Sequence, residues 1–158
     1  MKDRISAEEY IKKYINHDRR KHDQPEYREQ CKVARYLAEQ WPDLLWTASA
    51  GGMRTTAGTG AKMKAAGYRA GCPDIMIFHI KGSIWIEKEM GKNSITHHEV
   101  KYYGLHIEMK SEAGTQSPAQ KEWQKKAEAA GYNYSVCHSY EEAVGVIEAY
   151  LEIEKVGV

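Results

Sequence analysis

GLHIEMKSEAGTQSPAQKEW, residues Gly104–Trp123, decides the fold. Leu105, Ile107 and Met109 alternate with His106, Glu108 and Lys110, a period of two that predicts a half-buried strand. Glu108 and Lys110 then share a face, roughly 7 Å apart at the strand's end. Seven residues after Lys110, Ser117-Pro118-Ala119-Gln120 sets out a helix start: a cap, a proline in the first turn and a glutamine at the third position. Ala119, Trp123, Ala127 and Ala130 supply an inner stripe for that helix, and Gly131 ends it.

The same periodicities extend outward. YNYSVCH predicts a last strand, and Ser139 with Glu142 caps a final helix carrying Ala143, Val144, Ile147, Tyr150 and Leu151. Upstream, PDIMIFHI predicts a buried strand and SIWIEKE an alternating one, with MGKNSITHHEVKYY as a hairpin loop and its return. LLWTA at 44–48 is a further short strand. A helix is expected from about Gly60 to Ala66, and another from Pro25 until Pro42 stops it, with Cys31, Ala34, Leu37 and Ala38 inward. Ser6 with Glu9 caps a first helix over 6–16, followed by the polar linker NHDRRKHDQ. The whole predicts a mixed α/β sandwich: a mixed β-sheet flanked by helices.

Composition bounds the function. A chain of 158 residues with 42% hydrophobic and 28% charged residues suits one core. No apolar run approaches the ~20 residues of a membrane span, and the charged start MKDRISAEEY lacks the apolar region of a leader, so a cytoplasmic protein is expected. Cys31, Cys72 and Cys137 form no C-x-x-C spacing and read as reduced thiols. A net charge of +1 decides nothing by itself. Its distribution says more: between Thr47 and Pro73 there is no acidic residue, while Arg54, Lys62, Lys64 and Arg69 fall there, so that segment is expected to attract an anion. The Gly- and Thr-rich stretch around them lacks both the Walker lysine and a dinucleotide fingerprint.

Chemistry concentrates in the strands. In GCPDIMIF a Gly-x-Pro-Asp turn feeds a strand, so Asp74 would meet Glu108 at one sheet edge if the two strands pair. Two adjacent carboxylates raise each other's pKa unless a cation compensates. A divalent ion does so, and Mg²⁺ takes one or two carboxylates, waters and substrate phosphate oxygens. Glu26 offers a third carboxylate from the second helix, with Gln30 one turn later. Lys110 beside them can orient a water and stabilise charge on an attacked phosphate. These are the elements that phosphodiester hydrolysis needs.

From Gln24 to Leu151 the chain resembles the VRR-NUC family of the PD-(D/E)xK nuclease superfamily, through PEYREQ, GGMR, GAKMKAAGYRAGCPDIMIF, YYGLHIEMKSEAGTQSPAQKEW and AGYNYSVCHSYEEAVGVIEAYL. The resemblance implies a restriction-endonuclease-like core over 24–158, preceded by an N-terminal helix and linker at 1–23. It implies Mg²⁺ or Mn²⁺ held by Asp74, Glu108, the Met109 carbonyl and Glu26, the last as the helix glutamate unless Glu29 takes that place. Lys110 becomes the catalytic lysine and Gln120 the helix-borne glutamine of the site. The implied activity is a DNA endonuclease selective for branched structures such as Holliday junctions or flaps, acting as a homodimer, as in stand-alone members from bacteria and phages. An inactive DNA-binding module and a restriction-type or RNA-directed nuclease are the alternatives. The segment 81–102 is longer than the short hairpin of minimal members and reads as an insertion.

Overall fold

Pro25 opens the first described helix, where its missing N–H costs no hydrogen bond. The structure, a computed structural model, describes residues 25–49, 56–87 and 95–151, and of 83–87 and 95–99 the backbone alone. The helix expected over 6–16, its linker and Arg54 lie outside the described residues.

Helix α1 (Pro25–Gln40) is followed by β1 (Trp46–Ala48), α2 (Ala57–Ala65), β2 (Ile75–Ile77), β3 (Lys81–Glu87) and β4 (Ile95–Tyr102). Then come β5 (Leu105–Met109), α3 (Pro118–Ala129), β6 (Asn133–Cys137) and α4 (Tyr140–Leu151). The main sheet has the order β1-β2-β5-β6, with β5 and β6 parallel and the other pairs antiparallel. The mixed α/β architecture thus matches the sequence expectation.

Val33 and Leu37, one helical turn apart on α1, meet Ala143, Ile147 and Leu151 of α4 over Ile75, Ile77, Leu105, Ile107 and Met109. Burying each large aliphatic side chain there contributes about 1.5–3 kcal/mol. Helix α3 packs on β6, over the other face. Two expectations are corrected by this layering. The strand bearing Glu108 is not half-buried: every residue of β5 is buried, because it sits inside the sheet with cover on both faces. The stripe predicted for α3 reduces to Ala127 as its buried residue, with Ala119 and Ala130 exposed and Trp123 part-buried. Helix α2 also starts earlier than Gly60, because the Thr56 hydroxyl caps it by accepting from Thr59 N.

Within 81–102, the described strands β3 and β4 pair with each other as a ribbon of their own and not with the main sheet. The ribbon leaves from the end of β2 and returns at the start of β5, opposite the ends where Asp74 and Glu108 lie. Its base is tied to α4: Lys81 Nζ donates to the Ala149 carbonyl at 2.6 Å and lies 5.7 Å from the centre of the Tyr150 ring. The Tyr150 hydroxyl donates to the His79 carbonyl at 2.6 Å.

Candidate active site

Ile75 pairs with Ile107, so one position outward the antiparallel register brings Asp74 level with Glu108. The Asp74 Oδ2 accepts from the Met109 N–H at 2.8 Å, which ties the Gly-x-Pro-Asp turn to the end of β5. That turn depends on Gly71, whose φ of +86° lies in the left-handed region. Its bare Cα also allows the backbone to pass close to the Ala119 carbonyl at the start of α3. In this way the sequence stretch before Asp74 and the capped helix after Lys110 are drawn to one place.

Glu108, only 1% exposed, and Lys110, 6% exposed, point to the same side of β5. Lys110 Nζ donates to Glu108 Oε1 at 2.6 Å and to the Met109 carbonyl at 3.1 Å. Gln120 Nε2 donates to the same Oε1, while its own Oε1 accepts from Ser117 N at 2.8 Å. One end of this amide therefore caps the helix while the other reaches Glu108.

Helix α1 closes the site from another side. Glu26 Oε1 accepts from Ser111 N at 3.0 Å, in the turn that follows β5, and Gln30 Nε2 donates to the Asp74 carbonyl at 3.2 Å. Glu29 faces elsewhere: it pairs with Lys32 at 2.5 Å and accepts from Tyr140 N at 2.8 Å, capping α4. Of the two glutamates that the sequence leaves open, Glu26 is the one beside Asp74.

Electrostatics follow from this crowding. Burial, reinforced by the Asp74 charge, pushes the Glu108 carboxyl up to about 7 against the opposing pull of Lys110 and Tyr134. Asp74 is also raised, first by burial and then by Glu26, although the Met109 N–H and Lys110 oppose the rise. Two carboxylates that resist ionisation at one sheet edge are a place where added positive charge is favoured. Among the described residues no group of three or more His, Cys, Asp or Glu side chains is spaced as a metal cage. The donors present, two carboxylates and the Met109 carbonyl, are hard oxygens; they suit an ion such as Mg²⁺ or Mn²⁺ that keeps several waters.

The basic residues are placed separately. Lys62 and Lys64 are exposed in the last turn of α2, and Arg69 is exposed just beyond it, next to Tyr68, whose hydroxyl feels the charges of Asp74 and Glu108. Three site neighbours have no local sequence signal. The Tyr134 hydroxyl of β6 stands 3.4 Å from Glu108 Oε2, Ser111 supplies the N–H for Glu26, and Gln116 adjoins Tyr134. A tyrosine in an alternating strand reads as core, and it takes the parallel β5–β6 register to carry its hydroxyl to Glu108.

No family model and no curated protein matches the sequence. Among solved structures, one named VRR_NUC domain protein is similar to this chain at a TM-score of 0.54 and 22% sequence identity, covering 78% of this chain and 88% of its own. Among the described residues no helix is long and apolar enough to cross a membrane. With its mixed sheet and flanking helices, this chain shares the fold of that VRR_NUC domain protein.

Proposed function

We propose that this chain is a member of the VRR-NUC family and a metal-dependent nuclease that hydrolyses DNA phosphodiesters. The observation that carries this reading is the meeting of Asp74, Glu108, Lys110 and Gln120 at one sheet edge, with Lys110 Nζ 2.6 Å from Glu108 Oε1. Asp74, Glu108 and the Met109 carbonyl would hold Mg²⁺ or Mn²⁺, with Glu26 beside them. When bound there, the ion supplies Lewis-acid charge and acidifies a water. Lys110 brings a positive charge to the same edge, suited to stabilising negative charge that develops on the attacked phosphate. Gln120 orients the Glu108 carboxylate, and Glu26 fixes the Ser111 turn against Asp74.

Arg54, Lys62, Lys64 and Arg69 serve as phosphate contacts. Such contacts position DNA without reading its sequence, which favours a substrate chosen by shape, a four-way junction or a flap, with the protein acting as a homodimer on paired strands. The test is cleavage of labelled junction, flap, duplex and single-stranded DNA with Mg²⁺, Mn²⁺ or EDTA, comparing wild type with Asp74→Ala and Lys110→Ala. Paired, metal-dependent cuts in the junction that both substitutions abolish are expected. Retained binding with no cutting of any substrate would replace the nuclease by an inactive binding module, and full turnover by Lys110→Ala would remove the assigned chemistry.

A further inference from the structure

The two oxygens of Glu108 are held unequally. Oε1 accepts from Lys110 Nζ at 2.6 Å and from Gln120 Nε2, whereas among the described residues Oε2 has the Tyr134 hydroxyl alone, at 3.4 Å. A charge-assisted O–H···O⁻ bond is ordinarily about 2.5–2.7 Å, so this contact leaves Oε2 with acceptor capacity to spare. Tyr134 is itself well fixed. It is buried, level with His106 in the parallel register, and His106 meets it edge-on with ring centres 6.2 Å apart. His106 in turn stacks on Tyr132 at 4.8 Å. Next to the Tyr134 hydroxyl lies Gln116, from the loop between β5 and α3, whose buried Nε2 has the Tyr134 oxygen as its polar neighbour. A buried amide left without an acceptor is costly.

We infer that Tyr134 is a positioning residue for Glu108: backed by Gln116, its hydroxyl limits the swing of Oε2, the oxygen with capacity left for a cation. The inference rests on the metal-dependent reading of Asp74 and Glu108 given above. The aromatic stack through His106 and Tyr132 makes the restraint rigid, because the Tyr134 ring cannot rotate away without breaking those contacts. Loss of an outer partner of this kind typically lowers metal affinity or activity by about 10–100-fold.

Tyr134→Phe keeps the ring and removes the hydroxyl. Mn²⁺ binding without DNA, followed by calorimetry and by the spin-resonance signal of free Mn²⁺, should weaken about 10-fold or more. Turnover at saturating Mn²⁺ should fall while the KM for DNA holds, and the circular dichroism spectrum should match wild type. Tyr132→Phe, which leaves the stack in place, should bind Mn²⁺ as wild type does. Wild-type Mn²⁺ affinity and turnover in Tyr134→Phe would overturn the inference while leaving the nuclease reading intact, provided Asp74→Ala has lost Mn²⁺. A wild-type protein that binds no Mn²⁺ would take down both. If Tyr134→Phe fails to fold, Gln116→Ala decides: weakened Mn²⁺ binding supports the inference and unchanged binding overturns it.

Discussion

Replacing Glu108 by Gln should change how the stability of the metal-free protein depends on pH. In the folded protein burial, aided by Asp74, holds this carboxyl protonated up to about 7, whereas the unfolded chain gives up the proton near 4.5, the ordinary value for a glutamate. Between those limits the folded state binds more protons, so stability is lost as pH rises through the window and levels off above it. At about 1.4 kcal/mol for each pH unit the full effect is about 3 kcal/mol, of which about 2 kcal/mol falls between pH 5 and pH 8. Asp74, also raised, contributes in the same direction. His106 works the other way: burial keeps its ring neutral, so the unfolded chain takes a proton below about 6.5 and stability falls as pH drops there. The quantity to measure is therefore the difference between wild type and Glu108→Gln, from urea unfolding in EDTA at several values between about pH 5 and pH 8. Wild type should lose about 2 kcal/mol relative to the variant across that range, and Mg²⁺ at the upper end should restore part of the loss. A difference that stays constant, or that grows in favour of wild type with rising pH, would refute the account of Glu108 as a buried carboxylate awaiting positive charge.

Gly71→Ala should destabilise the fold by on the order of 3 kcal/mol or more, because a Cβ at φ +86° would stand 2.3 Å from the Ala119 carbonyl oxygen; a wild-type thermal midpoint would contradict this. Ser117→Ala should cost about 1 kcal/mol through the lost cap yet preserve activity, since Gln120 still holds Glu108; cleavage lost in step with stability would show that the two roles are not separable. Reversing charge at both Lys62 and Lys64 should weaken DNA binding and reduce the slope of log affinity against log salt by about 2, and an unchanged slope would take these lysines out of the interface.

Local rules made much of this protein legible. Pro25, the Ser117–Gln120 capping box and the Ser139–Glu142 cap set the starts of α1, α3 and α4, because proline and hydroxyl caps act within one turn of chain. Period-two alternation found β5, and the Gly-x-Pro-Asp turn with the Glu-x-Lys strand end singled out Asp74, Glu108 and Lys110, while the family resemblance named Gln120. What the sequence left open depends on contacts between distant segments. Glu26 rather than Glu29 reaches Asp74's neighbourhood because Glu29 is drawn to Lys32 and the start of α4, 111 residues away. Alternation also suggested a solvated polar face for β5, whereas α3 and Tyr134 cover it and turn an exposed ion pair into a buried set of charges. A strand's period reports that its two faces differ; whether the polar face meets water or another layer is decided by which strand lies innermost and what packs above it, and neither is written in any local stretch.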